Sequence, residues 1–235
     1  MTAGETLAGR RNETLFDLAG EELRAVNAAL HEAVEGAFLL ANPGGAHALA
    51  CGLRSPLKVR IDGHVGYYCA GMNRAAEVTV AGNAGTGLAE NMMSGTVRVT
   101  GNASQSAGAS GHGGLLVVGG NASARCGISM KGIDIVVGGN VGHLSGFMAQ
   151  AGNLIVLGDA GAAFGDSLYE ADLYVRGRVE GLGADCEEKP MTDADRDKLA
   201  ALLRRAELSA DPAAFRHYGS ARRLYNFRID NAGAG

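Results

Sequence analysis

The sequence predicts an all-β fold, a single-stranded right-handed parallel β-helix of about seven coils with a helical cap at each end, and two observations predict it. A glycine stands every nineteen residues, at Gly63, Gly82, Gly101, Gly120, Gly139, Gly158 and Gly177, without an insertion or deletion between them. Before each glycine the apolar residues alternate with period two. Ile61, Val80, Val99, Val118, Val137, Val156 and Val175 lie two positions back, and Val59, Val78, Val97, Leu116, Ile135, Leu154 and Leu173 lie four back. Self-similarity at a fixed period of this size marks stacked supersecondary units that reach a core only through their neighbours. Period-two alternation makes the repeated element a strand. A helical reading would place a glycine penalty of roughly 1 kcal/mol at each ladder position.

Each coil reads as strand, tight turn, short second strand and second turn. Two residues after the glycine come Val65, Ala84, Ala103, Ala122, Val141, Ala160 and Val179, a third inward column of small apolar residues. Coils about 4.8 Å apart give a rod roughly 30 Å long over seven turns. Directly after the glycine, stacking builds a ladder of Asn83, Asn102, Asn121, Asn140 and Asp159, with His64 before it and Arg178 after it. Asparagine tolerates left-handed backbone and its amide can bond the next amide in a stack, so the ladder is expected to be structural. Asp159 is expected to accept from Asn140 and pair with Arg178. The glycine corners themselves are expected to need positive φ, so that valine at Gly139 or Gly158 would be costly.

A second small-residue column runs through Ala70, Ala89, Gly108, Gly127, Gly146, Gly165 and Ala184 and predicts a second sharp corner. An eighth, irregular coil is suggested by Gly44 and Leu40, nineteen residues before Gly63 and Val59. The ends differ from the middle, as solenoid ends must to cover a strand edge. Residues 1–57 form the N-terminal cap, where Leu18, Leu23, Val26, Leu30 and Val34 follow helical spacing between Asp17 and Gly36. Residues 58–183 are the β-helix. Residues 184–235 form the C-terminal cap and tail. There Thr192 and Asp195 resemble a capping box before the apolar stripe Leu199, Leu202, Leu203. The tail interleaves Arg216, Arg222, Arg223 and Arg228 with Tyr218, Tyr225 and Phe227. Arginine and aromatic residues are what interface hot spots prefer, so Arg216, Arg222, Arg223, Tyr225, Phe227 and Arg228 form a candidate docking surface. Folding back onto the rod and nucleic-acid stacking are its alternatives.

Composition narrows the function classes. The chain has 235 residues, 46% of them apolar, and no tryptophan. That length accommodates one solenoid domain with capping ends. The repeat carries eight basic and nine acidic residues, a net charge of −1, and so lacks the electrostatic footprint of a nucleic-acid binder. No apolar run approaches the length of a membrane span and no signal-peptide core opens the chain, so a cytoplasmic location is expected. Cys51, Cys69, Cys126 and Cys186 form no CxxC pair. Cys69 and Cys126 share a column three coils apart, about 14 Å, too far for a disulfide. Cys186 reads as exposed within the charged segment Asp185–Lys189, with a reactive thiol as the alternative. No hydrolase, metalloprotease or nucleotide-binding motif occurs despite 37 glycines. His64, His112 and His143 fall in three different columns, so stacking does not gather them as ligands. No catalytic, cofactor-binding or metal-ligating residue is assigned.

The segments Gly139-Asn-Val-Gly142-His-Leu-Ser-Gly146 and Gly158-Asp-Ala-Gly161-Ala-Ala-Phe-Gly165 resemble the G-xx-G-xxx-G repeat of the C-terminal β-helix domain of the glutamate synthase large subunit. The likeness covers residues 58–183. The same repeat occurs in formylmethanofuran dehydrogenase C subunits and related formyltransferase/hydrolase complexes, which supply an alternative. The segments GHVGYYCAGMN (63–73), AENMMSG (89–95), RCGISMKG (125–132) and LGADCEEKPM (182–191) are similar to the free-standing glutamate-synthase-like β-helix subunit associated with N-methylglutamate synthase. That resemblance implies a non-catalytic assembly subunit in a hetero-oligomer. Its partners would be an amidotransferase-like subunit and an FMN-binding synthase-like subunit, with FMN and iron–sulfur clusters carried by those partners. The implied reaction converts glutamate and methylamine to N-methylglutamate and ammonia. Ser104, Ser123 and Glu180 replace the second glycine of the pattern, and those corners are expected to face differently, toward a partner.

Overall fold

The computed structural model describes residues 13–223, and these form a parallel β-solenoid with one eleven-stranded sheet along its length. The strands are β1 (Glu13–Asp17), β2 (Ala37–Ala41), β3 (Lys58–Asp62), β4 (Glu77–Val80), β5 (Thr96–Val99) and β6 (Leu115–Val118), followed by β7 (Lys131–Val137), β8 (Ala151–Val156), β9 (Asp172–Val175), β10 (Cys186–Lys189) and β11 (Arg216–Ser220). From β3 to β9 the pairing keeps the nineteen-residue offset, as in Val59 with Val78 and Val97 with Leu116. It slips only at the start of β7, where Lys131 pairs with Ala151. The two valine columns point inward and are buried throughout, and seven such rungs supply most of the core. Burying each of these side chains contributes about 1.5–3 kcal/mol before chain entropy is set against it. The third column forms a continuous line of single bridges from Val65 to Val179.

The glycine ladder is required for a different reason from the one the sequence suggests. Apart from Gly63, its members do not have positive φ. Gly101, Gly120, Gly139 and Gly158 sit instead against the side chain of the asparagine one coil back, Gly177 against that of Asp159, and Gly82 against the backbone of Gly63 and His64. A Cβ on Gly120, Gly139 or Gly158 would stand 2.4, 2.2 or 2.2 Å from Oδ1 of Asn102, Asn121 or Asn140. These oxygens are held there because each accepts the backbone N–H of the next ladder residue. Asn102, Asn121, Asn140 and Asp159 each donate to the preceding Asn Oδ1 at 2.8 Å. The ladder therefore runs side chain to backbone, in non-left-handed conformation. Asp159 accepts the backbone N–H of Arg178 at 2.7 Å, so the expected pairing with the Arg178 side chain is replaced by a backbone contact. At the other end His64 Nδ1 accepts from Asn83 N–H at 2.9 Å.

Left-handed backbone appears elsewhere, five, seven and nine positions after each ladder glycine from Gly63 to Gly158. Ser106, Gly108 and Ser110 have φ of 61°, 69° and 52°, and Arg125, Leu144 and Met148 repeat the pattern in later coils. Successive left-handed amides point alternately to the following and the preceding coil: Ser106 N–H donates to Ala124 O, Gly108 N–H to Leu88 O, and Ser110 N–H to Ile128 O. The inter-coil hydrogen bonds offset the roughly 1–2 kcal/mol that a left-handed non-glycine residue costs. The corners at Ser104 and Ser123 bond as the glycine corners do. Ser104 N–H reaches Ala84 O as Gly161 N–H reaches Val141 O, so serine does not turn them differently.

Both ends depart from expectation in detail. The coil before Gly63 exists, but with a twenty-one-residue offset, so Leu40 pairs with Ile61 rather than with Val59. A further parallel strand, β1, pairs with β2. The helix α1 (Leu23–Glu32) starts later than Asp17 and plugs the end with Val26 and Leu30, while Val34 is 77% exposed. The capping box at Thr192 and Asp195 opens α2 (Asp193–Ala206) as expected. That helix, however, lies along the outer face of the sheet and does not close its end. Leu199, Leu202, Leu203 and Ala206 pack with Phe215 on the outward residues Leu115, Val117, Val136, Ile155 and Tyr174. The end is closed by β11 and β10, which add antiparallel to β9. Arg98 locks the far end of α2, with Nη1 donating to Ala206 O at 2.7 Å and Nη2 donating to Arg205 O.

Candidate functional site

The candidate site is the C-terminal end of the rod, where β9, the start of α2 and β11 meet around a cluster of ionisable side chains. Strand alternation turns Asp172 and Tyr174 of β9 outward, the capping box fixes Asp195, and antiparallel pairing sets His217 opposite Tyr174. The His217 and Tyr174 rings stack with centroids 4.8 Å apart. His217 Nε2 lies 2.9 Å from Asp172 Oδ1, and its Nδ1 lies 3.8 Å from Asp195 Oδ2. Lys198 Nζ donates to Asp172 Oδ2 at 2.7 Å, and Tyr174 OH donates to Asp195 Oδ1 at 2.7 Å. Beside the cluster opens a cleft of about 300 Å³, lined also by Glu170, Lys189, Ser220 and Arg222.

Electrostatics mark the cluster as a clamp. Burial pushes the Asp195 carboxyl up, but donors from the Thr192 side chain and backbone and from Tyr174 outweigh it and hold the group down, to about 2. Burial likewise opposes ionisation of Asp172, and His217 and Lys198 overcome it and lower its pKa. Burial and the Asp195 hydrogen bond raise the Tyr174 phenol and keep it protonated. Each carboxylate thus bridges different elements, Asp172 joining β9 to α2 and β11, and Asp195 joining α2 to β9. A folded pKa below the unfolded value stabilises the fold where the group is ionised in both states. The Asp195 contribution should therefore be complete above about pH 4 and disappear as pH falls toward 2. Acid titration of wild type and Asp195→Asn, followed by thermal melts, checks this: the variant should lose less stability than wild type over that window.

The expected interface residues are distributed around this end. Arg216 donates from Nη2 to Gly177 O at 2.7 Å and sits 5.8 Å from the centre of the Tyr218 ring. Arg222 pairs with Glu170 at 2.9 Å, and the Arg223 backbone N–H donates to Asp185 Oδ1. Tyr225, Phe227 and Arg228 lie outside the described residues. The segment from Phe215 to Ser220 folds back on the rod, with Phe215 buried under α2 and Tyr218 in the solenoid core against Phe164. Cys186 is half-buried against the core rather than exposed. Burial, reinforced by the neighbouring Asp185 and Glu187 charges, pushes its thiol up to about 12. Cys69 and Cys126 are fully buried, and burial also raises both thiols, Cys126 to about 12. A disulfide-exchange reagent at pH 8 should leave these three unmodified in the native protein, and fast labelling of Cys186 would contradict its placement. Among the described residues no group of three or more His, Cys, Asp or Glu side chains is placed to hold a metal ion. None of the described helices is long and apolar enough to cross a membrane.

The cluster escaped sequence reading because Asp172 and His217 are 45 residues apart and His217 lies outside the nineteen-residue coils. One signal was present. The outward strand column reads Arg60, Thr79, Arg98, Val117, Val136, Ile155, Tyr174, and its change from polar to apolar marks where a covering helix begins.

No protein-family model matches the chain. It is 59% identical over 225 residues to protein GlxC of Rhizobium meliloti (strain 1021), covering 94% of this chain and 99% of that protein. The chain belongs to the GlxC family. The match spans nearly the whole of both proteins.

Proposed function

We propose that this chain is a non-catalytic assembly subunit of a glutamate synthase-type complex, specifically an N-methylglutamate synthase. In that role it links an amidotransferase-like subunit to an FMN-binding synthase-like subunit in the cytoplasm, with FMN and iron–sulfur clusters held by the partners. The reaction served is glutamate plus methylamine to N-methylglutamate plus ammonia. The observation that carries this reading is the unbroken coil register. From Lys58 to Val175 each coil is bonded to the next in the strand, bridge and left-handed columns, which makes a stiff spacer. Coupling a site that releases a small amine to one that consumes it needs a fixed distance and exclusion of water, and a rod bonded along every column supplies both better than loops do. The ionisable cluster is consistent with the same role, because its carboxylates are engaged in holding α2 and β11 in place.

The test is affinity purification of the chain from its native host at low salt, followed by mass spectrometry, a visible spectrum and methylamine turnover of the eluate. An amidotransferase-like chain, a flavin spectrum and N-methylglutamate formation are expected. Elution alone, or with formyl-transfer chains and no flavin, would overturn the reading.

A further inference from the structure

We infer that the turn side of the rod, eight to eleven positions after the ladder glycines Gly63 to Gly139, is the docking face for a protein partner whose contacting surface is apolar and edged with carboxylates; this rests on the complex proposed above. Three of the five large apolar side chains exposed on the described coils lie there, the other two being Tyr67 and Leu182. Met72 and Met148, nine positions after their glycines, are 46% and 43% exposed, and Met93, eleven positions after its own, is 42% exposed. The half-buried Ile128 and Phe147 lie in the adjoining column. Each is held by a tight turn, since Ile128 N–H donates to Arg125 O and Phe147 N–H to Leu144 O. Met92 and Met130 occupy the column between these and are fully buried, so exposure at Met72, Met93 and Met148 belongs to the face and is not a general property of methionine here.

Charge selects the partner. The column that holds Met93 also holds Arg74, His112 and Lys131, all exposed. Arg74 and Lys131 stand three coils, about 14 Å, apart. None of the three has an ion pair with a described residue, whereas Arg98, Arg196, Arg205, Arg216 and Arg222 do. Glu90 is the one acidic residue of these columns between Arg74 and Gln150. Methionine-rich apolar surface adapts to a protein partner, and unpaired cations at its edge favour one bearing carboxylates. This face is distinct from the outer strand face, half of which α2 already covers.

Methionine footprinting of the native complex with dilute peroxide tests the assignment without a mutation. Sulfoxide formation at Met72, Met93 and Met148 should fall several-fold in the complex relative to the isolated chain, with Met92 and Met130 unreactive in both. The variants Met72→Glu/Met148→Glu and Arg74→Glu/Lys131→Glu should release the partner chains at unchanged melting temperature, and Arg60→Glu on the strand face should retain them. Equal oxidation of the three methionines in complex and free chain, or retention of every partner by both variants, would overturn the face while leaving the complex intact. Loss of a co-purifying nucleic acid instead of a protein would also overturn it. A wild-type chain that elutes alone overturns both the complex and this face.

Discussion

Alanine at Gly139 should lower the stability of the rod by about 3 kcal/mol, combining overpacking with the loss of a hydrogen bond. The new Cβ would stand 2.2 Å from Asn121 Oδ1 and 2.9 Å from Gly120 O, and the asparagine cannot withdraw without releasing the Asn140 N–H it accepts. For a chain of this size that loss corresponds to a drop in melting temperature of roughly 6–12 °C. Gly181 is the control, because a Cβ there meets nothing within 4 Å, and alanine should be tolerated. Removing the obstructing side chain should restore part of the loss. The double replacement Asn121→Ala/Gly139→Ala is expected to be more stable than the sum of the single effects by about 1 kcal/mol or more, the signature of two residues in contact. Strict additivity would show that the glycine is required for some reason other than the asparagine ladder.

Aspartate at Ile155 should be still more damaging, by about 4 kcal/mol or more, while aspartate at Thr79 in the same outward column should stay within about 0.5 kcal/mol. Ile155 is fully buried beneath α2, whereas Thr79 lies on the part of the strand face that α2 does not cover. A carboxylate at Ile155 would be desolvated among Leu199, Leu202 and Leu203, and the helix would lift off to hydrate it. Hydrogen exchange should then show protection lost across Asp193–Ala206 with the valine ladder still protected. Equal, small effects at both positions would contradict the docking of α2 on this face.

These two sites show how far the sequence could be read. The nineteen-residue glycine column was legible because stacking repeats one environment seven times, but its cause was not. A glycine required by a neighbour's side chain looks the same in sequence as one required by positive φ, and only Asn121 Oδ1 in the path of Gly139 separates the two. The left-handed positions at Arg125, Leu144 and Met148 were hidden, since their residue types give no turn signal and inter-coil bonding imposes the conformation. The position of α2 could have been read. Val117, Val136 and Ile155 break the polar outward column, and an outward valine run requires a cover. The clamp could not, because it joins Asp172, Asp195 and His217 through tertiary packing alone.

The central claim is that this chain assembles a complex without performing its chemistry, and reconstitution by omission tests it most directly. The proposed amidotransferase-like and flavin-bearing partners would be co-expressed with and without this chain, and N-methylglutamate formation measured alongside the association of the two. The account predicts that omission separates the partners and abolishes coupled turnover, while the flavin-bearing chain keeps its spectrum. Full association and full turnover without this chain would contradict it.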